Sequence, residues 1–170
     1  THNQEEALTM SDRMAVMHRG RLEQVGPKLE VYAKPATRFV ASFVGAANRL
    51  RGRLISVEGT RATFESGGVH IAVVPPPGAA AGSAIDFFLK SERIQLKPGH
   101  VAATDGRNHL AGTLRDAIFK GQYADFLVSL PDGQELVASG TPDLASLAKG
   151  QPVTLSWAPE AGDVFTAEGA

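Results

Sequence analysis

The sequence predicts a mainly β protein, with two paired β-modules preceded by a short mixed α/β segment. Three observations point there. Residues 1–45 carry helix punctuation around a single hairpin. After Gly45 the chain turns to short alternating segments broken by Gly, Pro and Asp, with no amphipathic helix of any length. And "NRLRGRL", beginning at Asn48, returns as "NHLAGTL" beginning at Asn108, sixty residues later, with Asn, Leu, Gly and Leu in the same places.

The elements can be taken in order. Asn3 is an N-cap type, and Glu6 stands three residues on, so a capping box opens a helix over Gln4 to Ser11. "RMAVMH" and "RLEQV" flank Arg19-Gly20, which reads as a hairpin with Gly supplying positive φ. Gly26-Pro27 starts a helical turn with Pro where its missing N–H does no harm, and Pro35 ends that turn at Lys34. Thr37 caps a further helix whose Phe39, Val40, Phe43 and Val44 form one apolar stripe, with Gly45 in the left-handed C′ position. The stripe predicts that this segment is held against the β-modules by Phe39 and Phe43. Beyond it, Leu50, Gly52 and Leu54 alternate with Arg49, Arg51 and Arg53, so that the arginines occupy the opposite strand face. Ser66-Gly67-Gly68 lies between "RATF" and "VHIAVV" and reads as a turn. Val73 to Gly82 is too rich in Pro and Gly for regular structure, and Pro131-Asp132-Gly133 is a hairpin signal. Trp157 is expected to pack in the β core. Phe119 and Tyr123 bracket "KGQ" at a hairpin tip or a subunit contact.

Composition excludes several functions. Lys and Arg number 17 against 18 Asp and Glu, and from Asn48 onward 11 against 13, so no basic field exists to gather a nucleic acid. There is no cysteine, which removes disulfides, thiolate metal sites and a Cys nucleophile. His18, His70, His100 and His109 lack the i, i+4 spacing of helical metal ligands. No apolar run reaches the roughly 18 residues that a membrane span needs, so membrane work would go through a partner.

The stretch "THNQEEALTMSDRMAVMHRGRLEQVGPKLEVYAKPATRFVASFVGAANRL" resembles the end of the nucleotide-binding domain of ATP-binding cassette (ABC) importer ATPases. The remaining residues resemble their regulatory extension, the paired oligomer-binding-like (OB-like) TOBE modules. "KPATRFVASFVGAAN" is most similar to the polyamine (spermidine/putrescine) importers, with sugar, glycerol-phosphate and ferric-iron importers worded alike. The resemblance implies a boundary near residue 46, with a nucleotide-binding remnant over 1–46 and an OB-like TOBE domain over 47–170. It places His2 on the switch histidine that contacts the γ-phosphate in the parent ATPase, where ATP and Mg would be the cofactors. No Gly-Lys dipeptide occurs, so these residues carry no phosphate cradle of the Walker type. The expectation is therefore a tail of a longer ATPase, inactive alone and holding no cofactor or metal of its own. It would be cytoplasmic, peripheral to the inner membrane through permease subunits, a homodimer through its β-modules, and neither nucleic-acid-binding nor inserted in the membrane.

Two departures from the family pattern stand out. Asn3 replaces the usual Asp after the histidine, and the regulatory phrase Leu-Arg-Pro-Glu reads Leu89-Lys90-Ser91-Glu92, with Ser91 in place of Pro. An alternative function is a small-solute or oxyanion sensor, for which Lys120-Gly121 and Ser139-Gly140-Thr141 are candidate donors.

Overall fold

The computed structural model describes residues 4–45, 47–102 and 106–167, so His2 and Asn3 lie outside the described residues. The N-terminal segment runs α1 (Gln4–Met10), β1 (Arg13–His18), β2 (Arg21–Pro27), α2 (Lys28–Ala33) and α3 (Arg38–Phe43). β1 and β2 pair antiparallel through a two-residue loop in which both Arg19 (φ 49°) and Gly20 (φ 76°) are left-handed. This is the pair of conformations that matches the twist of a tight hairpin, so Arg19 shares the strain that the sequence assigned to Gly20 alone. Pro27 is the N-cap of α2 rather than its first residue. Thr37 caps α3, its hydroxyl accepting from the Val40 N–H at 3.3 Å, and Gly45 follows at φ 83° as the C′ residue.

Val16, Val31, Val40 and Val44 form the small core of this segment, with Met14, Tyr32 and Phe39 packed against it. The expected Phe39/Phe43 attachment to the β-modules is not what the structure shows. Val40 and Val44 lie on one row of α3, Phe39 and Phe43 on the next, and only the valine row is fully turned inward. Phe43 stays 38% exposed and stacks on Phe39, which stacks in turn on His18 at 3.9 Å.

The rest is β. In chain order the strands are β3 (Ala47–Glu58), β4 (Arg61–Ser66), β5 (Val69–Val73), β6 (Ala84–Lys90), β7 (Gln95–Pro98), β8 (Asn108–Phe119), β9 (Ala124–Ser129), β10 (Glu135–Gly140), β11 (Pro152–Trp157) and β12 (Asp163–Thr166). They make two antiparallel five-stranded sheets, ordered β12-β6-β3-β4-β5 and β10-β9-β8-β11-β7. Short 3-10 turns at Ser91–Arg93 and Pro159–Ala161 carry the chain from one sheet to the other. β12, the last strand, thereby completes the first sheet. One apolar core lies between the sheets, from Leu50, Leu54, Phe64 and Phe87 on one side to Leu114, Phe126, Leu155 and Trp157 on the other.

The echo at sixty residues is structural, and each repeated residue has the same task twice. Leu54 and Leu114 are fully buried in the core, and Leu50 and Leu110 are buried beside them. Gly52 and Gly112 sit where the neighbouring strand comes close. Both long strands then shift register at matching positions, between Leu54 and Ser56 and between Leu114 and Asp116. Asn48 accepts from the Val137 N–H at 2.6 Å and donates to the Val137 carbonyl at 2.8 Å, clamping β10 of the other sheet. Asn108 does the same to Ala72 of β5, at 2.7 and 2.9 Å. Asn108→Ala is expected to cost about 2 kcal/mol, since it leaves the Ala72 amide without its partner; urea unfolding measures it.

Candidate functional site

The junction between the N-terminal segment and the first sheet is polar. Asp86 lies in "AIDFFLK", where strand alternation turns it away from Ile85 and Phe87, and its side chain is 3% exposed. A buried carboxylate needs partners, and it has three. Arg49 on the adjacent β3 holds it through Nε and Nη2 at 2.9 to 3.1 Å, and Arg38 of α3 reaches it at 3.0 Å. Arg51 stands at 3.6 Å, 72% exposed, and adds little. The arginine ladder is thus more than a solvated face: its first member ties β3 to β6 at Asp86, the carboxylate to which Arg38 fastens α3.

Four residues further along β6, Lys90 is buried; its ammonium donates to the Val44 carbonyl at 2.6 Å and lies 4.2 Å from the centre of the Tyr32 ring. Burial lowers its pKa, opposed by the Glu92 and Asp163 carboxylates. The Tyr32 hydroxyl donates to Glu92, and burial together with that carboxylate raises the phenol to about 12. Gly45 leaves the space that Tyr32 and Lys90 fill, for a Cβ there would sit 2.8 Å from Tyr32 Cε2. The Lys90-Ser91-Glu92 phrase singled out in the sequence is therefore the seam between the two parts of the chain, and Ser91 starts its 3-10 turn without help from a Pro.

Beyond that seam a cavity of about 710 Å³ opens between α1, α2 and the second sheet. Lys120, Ser139, Gly140 and Thr141, donors proposed from sequence for an oxyanion, line it together. Asp125, which the sequence reading missed, stands among them and occupies two: Lys120 Nζ is 2.6 Å from Oδ2, and the Ser139 hydroxyl donates to Oδ1 at 2.6 Å. Burial pushes Asp125 up, but the hydrogen bonds from Lys120 and Ser139, with the Lys120 charge, outweigh it and hold the carboxyl below its ordinary value. With Glu92 also on the lining, the cavity presents two carboxylates, an arrangement unsuited to an anion.

The sign of the Asp125 shift gives an expected result. A depressed folded-state pKa contributes stability that is present above the ordinary value of 3.8 and is lost as the pH falls through the lower folded value. Asp125→Asn should remove that portion of the acid-side loss, read as the difference between the two proteins in melting temperature against pH.

Residues 88–165 match the TOBE domain. The spermidine/putrescine import ATP-binding protein PotA of Rubrobacter xylanophilus is 38% identical over 162 residues, covering 92% of this chain and 41% of that protein. The protein of the same name from Thermobifida fusca is 36% identical, covering 94% and 42%, and that of Ruegeria pomeroyi 35%, covering 97% and 44%. The chain thus spans about two fifths of the length of these relatives. Among solved structures, the cytoplasmic molybdate-binding protein ModG, with molybdate bound, superposes with a TM-score of 0.62 over 79% of this chain and 99% of its own. At 18% identity that likeness shows the fold. No helix among the described residues is long and apolar enough to cross a membrane. Residues 88–165 are thus similar to the TOBE domain, and most of the chain is similar to the C-terminal part of the spermidine/putrescine import ATP-binding proteins.

Proposed function

We propose that this chain is the regulatory and pairing part of the ATP-binding subunit of an ABC importer, with polyamines as the transported solute. In this reading His2 belongs to the ATP- and Mg-dependent site of the parent subunit, the chain hydrolyses no ATP alone, and the subunit works in the cytoplasm against membrane permease subunits. The observation that carries it is the polar seam. Asp86 and Lys90 fasten α3 and Val44 to β6, a strand paired on both sides within the first sheet, so a movement of the N-terminal segment is passed to the β-modules as a rigid body. That coupling is what a regulatory extension of a nucleotide-driven subunit requires. The likeness to three polyamine-importer subunits over more than nine tenths of the chain supports the solute.

The test is a chimera in which this chain replaces the matching part of a polyamine importer's ATP-binding subunit, read by uptake of labelled spermidine. Uptake restored by the chimera and lost with Asp86→Ala, while the subunit remains folded and abundant, supports the coupling. A chimera that transports equally well with the seam broken overturns it. The oxyanion-sensor reading is disfavoured by the two carboxylates in the cavity, and calorimetry with molybdate and sulfate tests it directly.

A further inference from the structure

The cavity of about 710 Å³ carries charge on its walls but none to spare. Asp125 takes Lys120 Nζ on one oxygen and the Ser139 hydroxyl on the other, both at 2.6 Å. Ser139 has thereby spent its hydrogen, so the Ser91 hydroxyl, 2.9 Å away, donates to it. Glu92 takes the Tyr32 hydroxyl. A second ammonium, that of Lys90, stands behind the lining, 4.2 Å from the centre of the Tyr32 ring. Two carboxylates are thus set against two ammonium groups. A charged ligand of either sign would give up its water here without finding a counter-charge that is not already engaged.

What stays open is hydrogen-bonding capacity. A carboxylate offers about four lone-pair sites, and the bonds above use two on Asp125 and one on Glu92. The Gln122 amide and the Tyr123 and Thr141 hydroxyls, all on the lining, bond to nothing among the described residues. Leu8 and the two tyrosine rings give the cavity an apolar side, and its volume lies in the range of small-molecule sites, about 300–1,000 Å³. Spare carboxylate lone pairs need a donor, and amide hydrogens need an acceptor. A hydroxyl serves as both from one atom, and it is far cheaper than an ion to take out of water.

We infer that this cavity binds a neutral polyhydroxylated ligand of mono- or disaccharide size, with a carbon face against Tyr123 and hydroxyls on Asp125, Glu92, Gln122 and Thr141. The site goes beyond the function proposed above and does not depend on the solute transported. Its walls come from α1 and α2 on one side and from the β8–β9 turn, β9 and β10 on the other. An occupant therefore joins the N-terminal segment to the second sheet, as the seam joins it to the first.

Isothermal titration calorimetry tests it with glucose, maltose and glycerol as neutral probes, spermidine as the cation and sulfate as the anion. The unaltered chain is compared with Gln122→Ala/Thr141→Val, which removes two exposed side chains that hold nothing in the fold. The expected result is saturable binding of at least one neutral probe, weakened about tenfold or more in the double variant. Binding of no neutral probe, or binding that the double variant leaves unchanged, overturns the site. Spermidine or sulfate bound more tightly than every neutral probe overturns the ligand class. Lys120→Met strips Asp125 of its ammonium and should turn the preference towards spermidine; a variant that keeps the unaltered chain's preference counts against the charge balance. Hydrogen exchange over residues 4–10 and 28–33 should slow when the neutral probe is bound, and unchanged exchange there overturns the bridging. None of these results bears on uptake by the chimera, so this site and the proposed function fail separately.

Discussion

Trp157→Ala should lower the free energy of unfolding by about 3–5 kcal/mol, roughly 8–16 °C in melting temperature for a chain of this size. Trp157 is fully buried on β11, opposite Asn108 in the strand register, and it is one of the large side chains that join the two sheets. Its removal opens a void at that join, where neither sheet can move in without disturbing the other. Trp157→Phe should cost much less than Trp157→Ala. The indole N–H meets no acceptor among the described residues, so phenylalanine forfeits ring volume and no hydrogen bond. Guanidinium unfolding followed by far-UV circular dichroism separates the two. A Phe variant as damaged as the Ala variant would mean that the N–H, rather than the ring, holds the site.

Gly52→Ala is the second large effect, and its repeat partner is the control. A Cβ at Gly52 would fall 1.8 Å from the Glu65 carbonyl oxygen and 2.8 Å from its carbon, both backbone atoms of the paired strand. At Gly112 the corresponding Cβ meets Val128 Cγ1 at 2.5 Å and the Ser129 oxygen at 3.0 Å, a side chain that can turn and a backbone atom that is only tight. Neither glycine has a positive φ, so the objection is steric alone. Gly52→Ala should cost about 3 kcal/mol, Gly112→Ala about 1 kcal/mol. Equal losses in urea unfolding would show that the β3–β4 pair can spread as readily as β8–β9.

The features legible in the sequence are the local ones. The cap of α3, the Arg19-Gly20 and Gly67-Gly68 turns and the sixty-residue echo are written in adjacent residues, and all are present as expected. The attachment of the N-terminal segment differs from expectation because four apolar residues over Phe39 to Val44 occupy two rows of a helix. Sequence does not say which row faces inward when the partner surface is distant. Asp86 did carry a signal: a carboxylate inside a continuous apolar strand must be neutralised, and an arginine ladder lay on another strand of the same module. The cavity had no such signal. It is assembled from α1, α2, the turn after β6 and the β8–β10 strands, and Asp125 looks like any polar residue alternating in "ADFLVS" until Lys120 and Ser139 are seen to converge on it.

β12 pairs with β6 along one border of the first sheet, where Asp163 stands opposite Phe88. The second sheet uses consecutive strands, β7 to β11, whereas the first has to wait for one made much later. During synthesis, then, the module that emerges first is the one finished last. Its β6 border remains uncovered until residues 163–166 leave the ribosome, and a cell making this protein has to shield that border from neighbouring nascent chains in the meantime.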